Sequence, residues 1–182
     1  MVKRKIIGFC LAGLAVLLIA GGTVGYTIEG EINDVPTPNV EGYVFFSEEA
    51  LPGNPAPLFI IADTEIQWDR DDIFMVIAEA DKKQQCDGIR ANGGAFLEAT
   101  SESQTCQYGD DGYEATAIDG TEGMDWRVTS GEYYAGIGTK SGTLPAGTEL
   151  SIRYQVDLSA GAATYLFSFL IGVGGLALAR MK

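Results

Sequence analysis

The sequence predicts an all-β, extracytoplasmic antiparallel sandwich of about eight or nine strands, carried between an N-terminal and a C-terminal transmembrane helix. Three observations predict it. Each end holds a long stretch without charge; short β-branched and aromatic segments separated by turns fill the space between; and acid is confined to the middle of the chain while base caps both tips.

The first uncharged stretch is Ile6 to Ile28, directly after Lys3, Arg4 and Lys5. As a helix at 1.5 Å per residue it reaches about 35 Å, enough to cross a bilayer core. The second, Ala160 to Ala179, is followed by Arg180 and Lys182. Short basic flanks stay on the cytoplasmic side, so residues 1–5 and 180–182 are expected inside and everything between the spans outside. A cleaved signal peptide is the rival reading of the first stretch. No A-x-A site follows its apolar core, where the chain runs Ile19-Ala20-Gly21-Gly22-Thr23, and the stretch continues to Ile28. Both features favour an uncleaved anchor.

All 25 acidic residues of the 182-residue chain lie between Glu29 and Asp157, against seven basic ones, so this segment carries a net charge of −18. Such a domain repels nucleic acid and anionic lipid headgroups. The partners expected are the bilayer that holds the spans, other membrane or surface proteins, and further copies of the chain. Small residues four apart within the spans support close helix approach. They are Gly8 and Ala12, then Gly21 and Gly25, in the first span, and Ser168 and Gly172, then Gly175 and Ala179, in the second. They predict that the two spans pack as a hairpin, or that copies associate through the same faces. Tyr26 and Tyr165 stand near the outer ends, where amphipathic rings prefer the interface.

Residues 29–41, with Pro36 and Pro38, read as an extended linker, and residues 42–158 as the sandwich. Gly42–Ser47 is the first strand candidate, and Leu51–Pro57, with three prolines, is a loop. Leu58–Trp68 and Ile73–Ala80 are strands joined by the turn Asp69–Asp72. The second of them is apolar on both faces and therefore central. From Asp81 to Gly94 the chain is polar, with Asp87-Gly88 and Asn92-Gly93-Gly94 as turn signals, and no segment of the domain shows helical period. Ala95–Thr100 with Thr105–Tyr108, then Tyr113–Ile118, Trp126–Thr129 and Glu132–Gly138, complete the middle strands, and Lys140–Thr148 is a turn. In the last strand, Leu150, Ile152, Tyr154, Val156 and Leu158 are apolar while Glu149, Ser151, Arg153, Gln155 and Asp157 are polar. That strict alternation puts one face on a core and the other in water.

The chain contains no histidine. This removes the usual general base, the Ser-His-Asp and Cys-His arrangements and the commonest zinc ligand. Cys10 reads as a small apolar residue of the first span. Cys86 and Cys106, the two cysteines of the outer domain, are expected to form a disulfide in an oxidising exterior. Calcium is the cofactor the residues allow, with Asp119, Thr121, Glu122 and Asp125 supplying hard oxygen ligands and Asp69, Asp71, Asp72, Asp110 or Asp111 adding to them. Trp68, Trp126, Tyr108, Tyr113, Tyr133 and Tyr134 can stack on sugar rings, although Trp126 and Tyr134 are expected in the core.

The ending WRVTSGEYYAGIGT…LPAGTELSIRYQVDL, leading straight into an apolar span, resembles the closing strands of many extracytoplasmic sandwiches. Cargo-receptor GOLD domains share the strand-then-span ending but insert a coiled coil that this chain lacks. The resemblance implies the architecture and assigns no residue a role. The function expected is that of a non-enzymatic two-span membrane protein whose acidic outer sandwich is a protein-interaction or scaffold module, an accessory subunit of a membrane assembly. The alternatives are an oligomeric two-span channel, against which the lack of ionisable side chains in the spans argues, and a surface receptor for a sugar or a divalent cation.

Overall fold

The computed structural model describes residues 2–38, 40–91, 106–140 and 148–181. In chain order these form α1 (Val2–Val24), β1 (Tyr26–Pro36), β2 (Phe45–Phe46), β3 (Ile60–Trp68), β4 (Ile73–Glu79), α2 (Ala80–Ala91), β5 (Tyr113–Ala117), β6 (Met124–Arg127), β7 (Tyr133–Thr139), β8 (Glu149–Ala160) and α3 (Ala162–Arg180). Eight strands make two four-stranded antiparallel sheets, ordered β1-β8-β3-β6 and β2-β7-β4-β5. The expected strand at Ala95–Thr100, residue Thr105 and the turn at 141–147 lie outside the described residues; the rest of the expected strand Thr105–Tyr108 is instead a tight turn that meets Tyr43 through a single bridge at Gln107.

A sandwich-like core joins the two sheets. Ala62, Ile66, Trp68, Met124, Trp126, Leu150 and Ile152 from the first sheet meet Ile73, Met75, Ile77 and Tyr133 from the second. The alternating register of β8 supplies its share. Leu150 and Ile152 are buried, Tyr154, Val156 and Leu158 are partly buried, and Glu149, Arg153 and Asp157 are exposed. The apolar run of β4 is central, and its second apolar face has a cover of its own. Phe74, Val76 and Ala78 pack with Tyr43, Val44, Phe46, Cys86 and Cys106 on the far side of the sheet.

That cover corrects the reading of Asp81–Gly94 as turns. Ala80–Ala91 is a helix, with Asp81 in its first turn where a carboxylate suits the positive end of the helix, and Lys83 paired to Asp87 one turn later. Cys86 is its buried anchor. The disulfide to Cys106 is formed, with Cα atoms 5.7 Å apart, and the Tyr43 hydroxyl donates to the Cys86 carbonyl oxygen at 2.8 Å. Packing therefore overrides weak local propensity here.

The residues read as a linker are also an element. Tyr26–Pro36 pairs with β8 from Tyr26↔Leu158 to Pro36↔Glu149, broken by a bulge between Ile32 and Val35 where Asp34 takes φ 60°. The first helix accordingly ends at Val24, short of Ile28. Gly25, at φ 71° and donating its N–H to the Gly21 carbonyl, is the left-handed residue that closes α1 and starts β1. At the other end β8 enters α3 through Gly161 alone. Both terminal helices are long and apolar enough to cross a membrane.

α1 and α3 pack side by side along a seam of small residues. A Cβ on Gly8 would lie 2.8 Å from that of Ala179, one on Gly172 3.3 Å from that of Ala15, and one on Gly22 2.4 Å from that of Ala160. Ala12 touches the Gly175 position, and Ser168 is buried on the same face of α3, its hydroxyl without a hydrogen-bond partner among the described residues. Gly21 and Gly25 do not belong to it. Helical rotation carries Gly22 back onto the face of Gly8 and Ala15, whereas Gly21 turns about 100° away and has open space around it.

Candidate functional site

The face of the β1-β8-β3-β6 sheet that points away from the core carries charge in ordered rows. Strand register sets the polar side chains in rows across it. Glu29, Gln155, Glu65 and Asp125 form one row, Thr27, Asp157, Asp63 and Arg127 a second, and Glu31, Arg153 and Gln67 a third. Two rows contain their own cation. The Arg127 guanidinium grips Asp63 with two bonds of 2.7 and 3.1 Å, and Arg153 lies 3.8 Å from Glu31. The row between them has three carboxylates and no cation. Like charges set opposite each other across strands repel, so this row gains from any positive surface laid over it. An open groove of about 530 Å³ runs here, lined by Glu29, Glu31, Glu65, Gln67, Arg153 and Gln155.

Hydrogen bonds favour the ionised form of Asp157 in the neighbouring row. The Thr27 hydroxyl donates to Asp157 at 2.5 Å and Gln155 donates at 3.1 Å, and these bonds hold the Asp157 carboxyl below the usual range. Arg127 is pushed the other way by its bond to Asp63. On the β3–β4 turn, the Arg70 fork on Asp72, at 2.9 and 2.6 Å, likewise lowers the Asp72 pKa.

The candidate calcium residues do not converge. Asp119 accepts the backbone N–H groups of Thr121 at 2.8 Å and Glu122 at 3.2 Å, which depresses its pKa and makes it the organiser of its own turn. Asp125 belongs to β6 and faces Glu65 in the charged row. Among the described residues, no group of three or more His, Cys, Asp or Glu side chains is placed to hold a metal ion.

The aromatic residues are spent mostly on packing. Trp68 and Trp126 are buried, and Trp126 stands edge-on to Tyr133 with ring centroids 5.1 Å apart. Tyr133, rather than the expected Tyr134, is the core member of that pair. Tyr134 is partly buried, bonds Glu132 and lies under Lys83. Tyr113 has its hydroxyl buried with no hydrogen-bond partner among the described residues, and its pKa is raised, chiefly by burial. Tyr108 packs on Phe74.

Two features escape sequence reasoning. Asn54, in the proline-rich loop, is buried. Its side chain donates to the Ile60 carbonyl at 2.7 Å and accepts the Ala56 N–H at 3.0 Å. The following turn then caps α3. The Leu58 carbonyl accepts the Ala163 N–H, and the Phe59 carbonyl accepts both the Gly161 N–H and the Thr164 hydroxyl. The only sequence signal was an uncharged run, Leu51 to Ala62, inside an acidic domain.

Fold and face together define a class of protein: two antiparallel sheets set between two apolar terminal helices, with an acidic sheet face and a disulfide-braced cover. No family model matches the chain, and no curated protein matches it. Among solved structures it is similar to a chain of tomato aspermy virus determined by X-ray crystallography, at 11% identity and a TM-score of 0.36, over 73% of this chain and 77% of that one. A likeness at that level carries no argument about this protein.

Proposed function

We propose that the chain is a two-span membrane protein with both basic tips in the cytoplasm, and that its acidic outer domain is a non-enzymatic protein-interaction module, an accessory or scaffold subunit of a larger membrane assembly. The observation that carries the membrane part is the inverted distribution of side-chain size in the helix pair. Glycine, alanine and serine line the seam, while Phe9, Leu17 and Phe169 stand out with 63%, 70% and 63% of their surface exposed. In water each such side chain would forgo about 1.5–3 kcal/mol of burial. Against lipid tails the arrangement is the stable one, because close packing of small residues is what drives helices together there. The Cys86–Cys106 bond suits an oxidising exterior.

The carboxylate row Glu29, Glu65 and Asp125 supports the interaction part, since its missing cations are what a basic partner surface supplies. Gentle detergent extraction followed by native mass measurement tests the proposal. We expect heterologous subunits to remain attached and to dissociate in high salt or in a Glu65→Lys, Asp125→Lys double variant. A pure homo-oligomer that conducts ions in a planar bilayer would replace this reading with the channel.

A further inference from the structure

We propose that the turn carrying Leu58 and Phe59 is a third membrane contact, an apolar wedge seated in the leaflet that faces the outer domain. This rests on the two-span reading and adds to it a fixed orientation of the domain on the bilayer.

The turn sits where α3 begins. Its carbonyl groups accept the N–H groups of Gly161 and Ala163, which a helix start otherwise leaves open, and the Thr164 hydroxyl. The Phe59 ring lies against Phe167, with centroids 5.7 Å apart. Phe167 is five residues into α3, about 7–8 Å along the helix axis at 1.5 Å per residue. Helical side chains tilt toward the N-terminus, so a ring packed on Phe167 stands beside the first turns of the helix. If α3 enters the bilayer, Phe59 enters with it.

The exposed side chains continue the apolar surface of the helices. Leu58 is 73% exposed and Phe59 41%, and Phe167 beneath them keeps 54% of its surface free. None of the twelve residues from Leu51 to Ala62 is charged, within a domain whose net charge is −18. An anionic tip would be repelled from headgroup phosphates, and this uncharged tip is not. The turn is also braced. Asn54 ties Ala56 and Ile60 together, and Pro55 and Pro57 restrict the backbone between them. A rigid apolar loop docks with little ordering cost, as an interfacial anchor requires.

The test uses the full chain with Cys10→Ser, so that an introduced thiol is the only free one, reconstituted in phosphatidylcholine vesicles. An environment-sensitive fluorophore is placed at Leu58→Cys, at Leu17→Cys in α1 and at Glu122→Cys on a remote turn. With nitroxide-labelled lipid, we expect the Leu58 probe to be blue-shifted and to lose most of its emission, as the Leu17 probe does, while the Glu122 probe loses none. Phe59→Cys gives the same readout if the label at 58 disturbs folding. A Leu58 probe that behaves like the Glu122 probe, with Leu17 still quenched, overturns the wedge and leaves the anchors standing. If the Leu17 probe is unquenched as well, the two-span reading and the wedge fall together.

Discussion

Gly8 and Gly175 meet backbone to backbone: a Cβ built on Gly8 would stand 2.4 Å from the Gly175 carbonyl oxygen, and one built on Gly175 would stand 2.7 Å from the Gly8 carbonyl oxygen. Neither obstacle is a side-chain tip that can swing aside. Gly8→Leu is therefore expected to part α1 from α3 at an overpacking cost of about 1–3 kcal/mol. Gly13→Leu, at a position with open space, should leave the pair intact. Ala15→Cys with Gly172→Cys reads this out, in a Cys10→Ser background, because the facing Cβ positions are 3.3 Å apart. The crosslink should form in the parent and in Gly13→Leu, and be lost in Gly8→Leu. Equal crosslinking in all three would mean the seam is not where the helices touch.

The disulfide holds the lid over Phe74, Val76 and Ala78. It closes a loop of 20 residues, and loop entropy assigns such a closure about 3 kcal/mol. Reduction, or Cys86→Ser, should lower the denaturation midpoint of the outer domain accordingly and slow its migration on non-reducing gels. An unchanged midpoint would show that the α2 cover contributes little to the fold.

Acid should weaken the sheet face in a direction set by Asp157. Its folded pKa lies below the ordinary value, so the stabilisation it provides is complete above the unfolded pKa of about 3.9 and is lost as pH falls through the lower folded value. Asp72 and Asp119 are depressed too and add the same sign. Relief of the chain's net charge of −13 acts oppositely, so the absolute midpoint is a poor readout. The difference between the parent and Asp157→Asn isolates the effect. It should be largest from pH 5 to 7 and shrink below about pH 4. A difference that grows on acidification would contradict the assignment.

The two adjacent tyrosines should differ sharply. Tyr133 is buried against Trp126, and its hydroxyl contacts Thr129. Tyr133→Ala is expected to cost about 3–5 kcal/mol, as for other large core rings. Tyr134 packs at the edge of the second cluster with its hydroxyl on Glu132, so Tyr134→Ala should cost about 1 kcal/mol. Denaturant titration of the two variants checks both values.

That pair marks how far the sequence could be read. Alternation requires one of two neighbours to face out, but only the phase of the partner strand decides which, and that phase is a long-range fact. β8 was legible because five apolar and five polar residues alternate without exception. β4 was legible because continuous apolarity over a strand length requires cover on both faces. β1 was hidden because Tyr26 and Ile28 continue the apolar run of α1, and Gly30 then interrupts the alternation. In the fold the Tyr154 ring lies over Gly30 from the next strand. α2 was hidden because Gly88 and abundant charge look like a turn, and the helix exists to cover a sheet and carry Cys86. The acidic face was visible as net charge, whereas its rows follow from register and could not be counted along the chain.

Topology is the remaining expectation, and it follows from charge at the helix ends. Lys3, Arg4 and Lys5 open α1, and Arg180 closes α3. Because the two helices run antiparallel along their seam, the basic ends lie together and the sheets continue from the opposite ends. In the proposed two-span arrangement one membrane side receives both tips, and the basic residues favour the cytoplasm. Protease applied to intact cells should cut within the outer domain and spare epitope tags on either terminus. Replacing Lys3, Arg4 and Lys5 with Gln should leave a minority of molecules with the amino-terminal tag accessible from outside. Because the two tips share a side, the molecules that expose the amino-terminal tag should expose the carboxyl-terminal tag as well. An amino-terminal tag digested from outside in the parent protein would reverse the orientation, and its loss on maturation would make α1 a removed leader instead of an anchor.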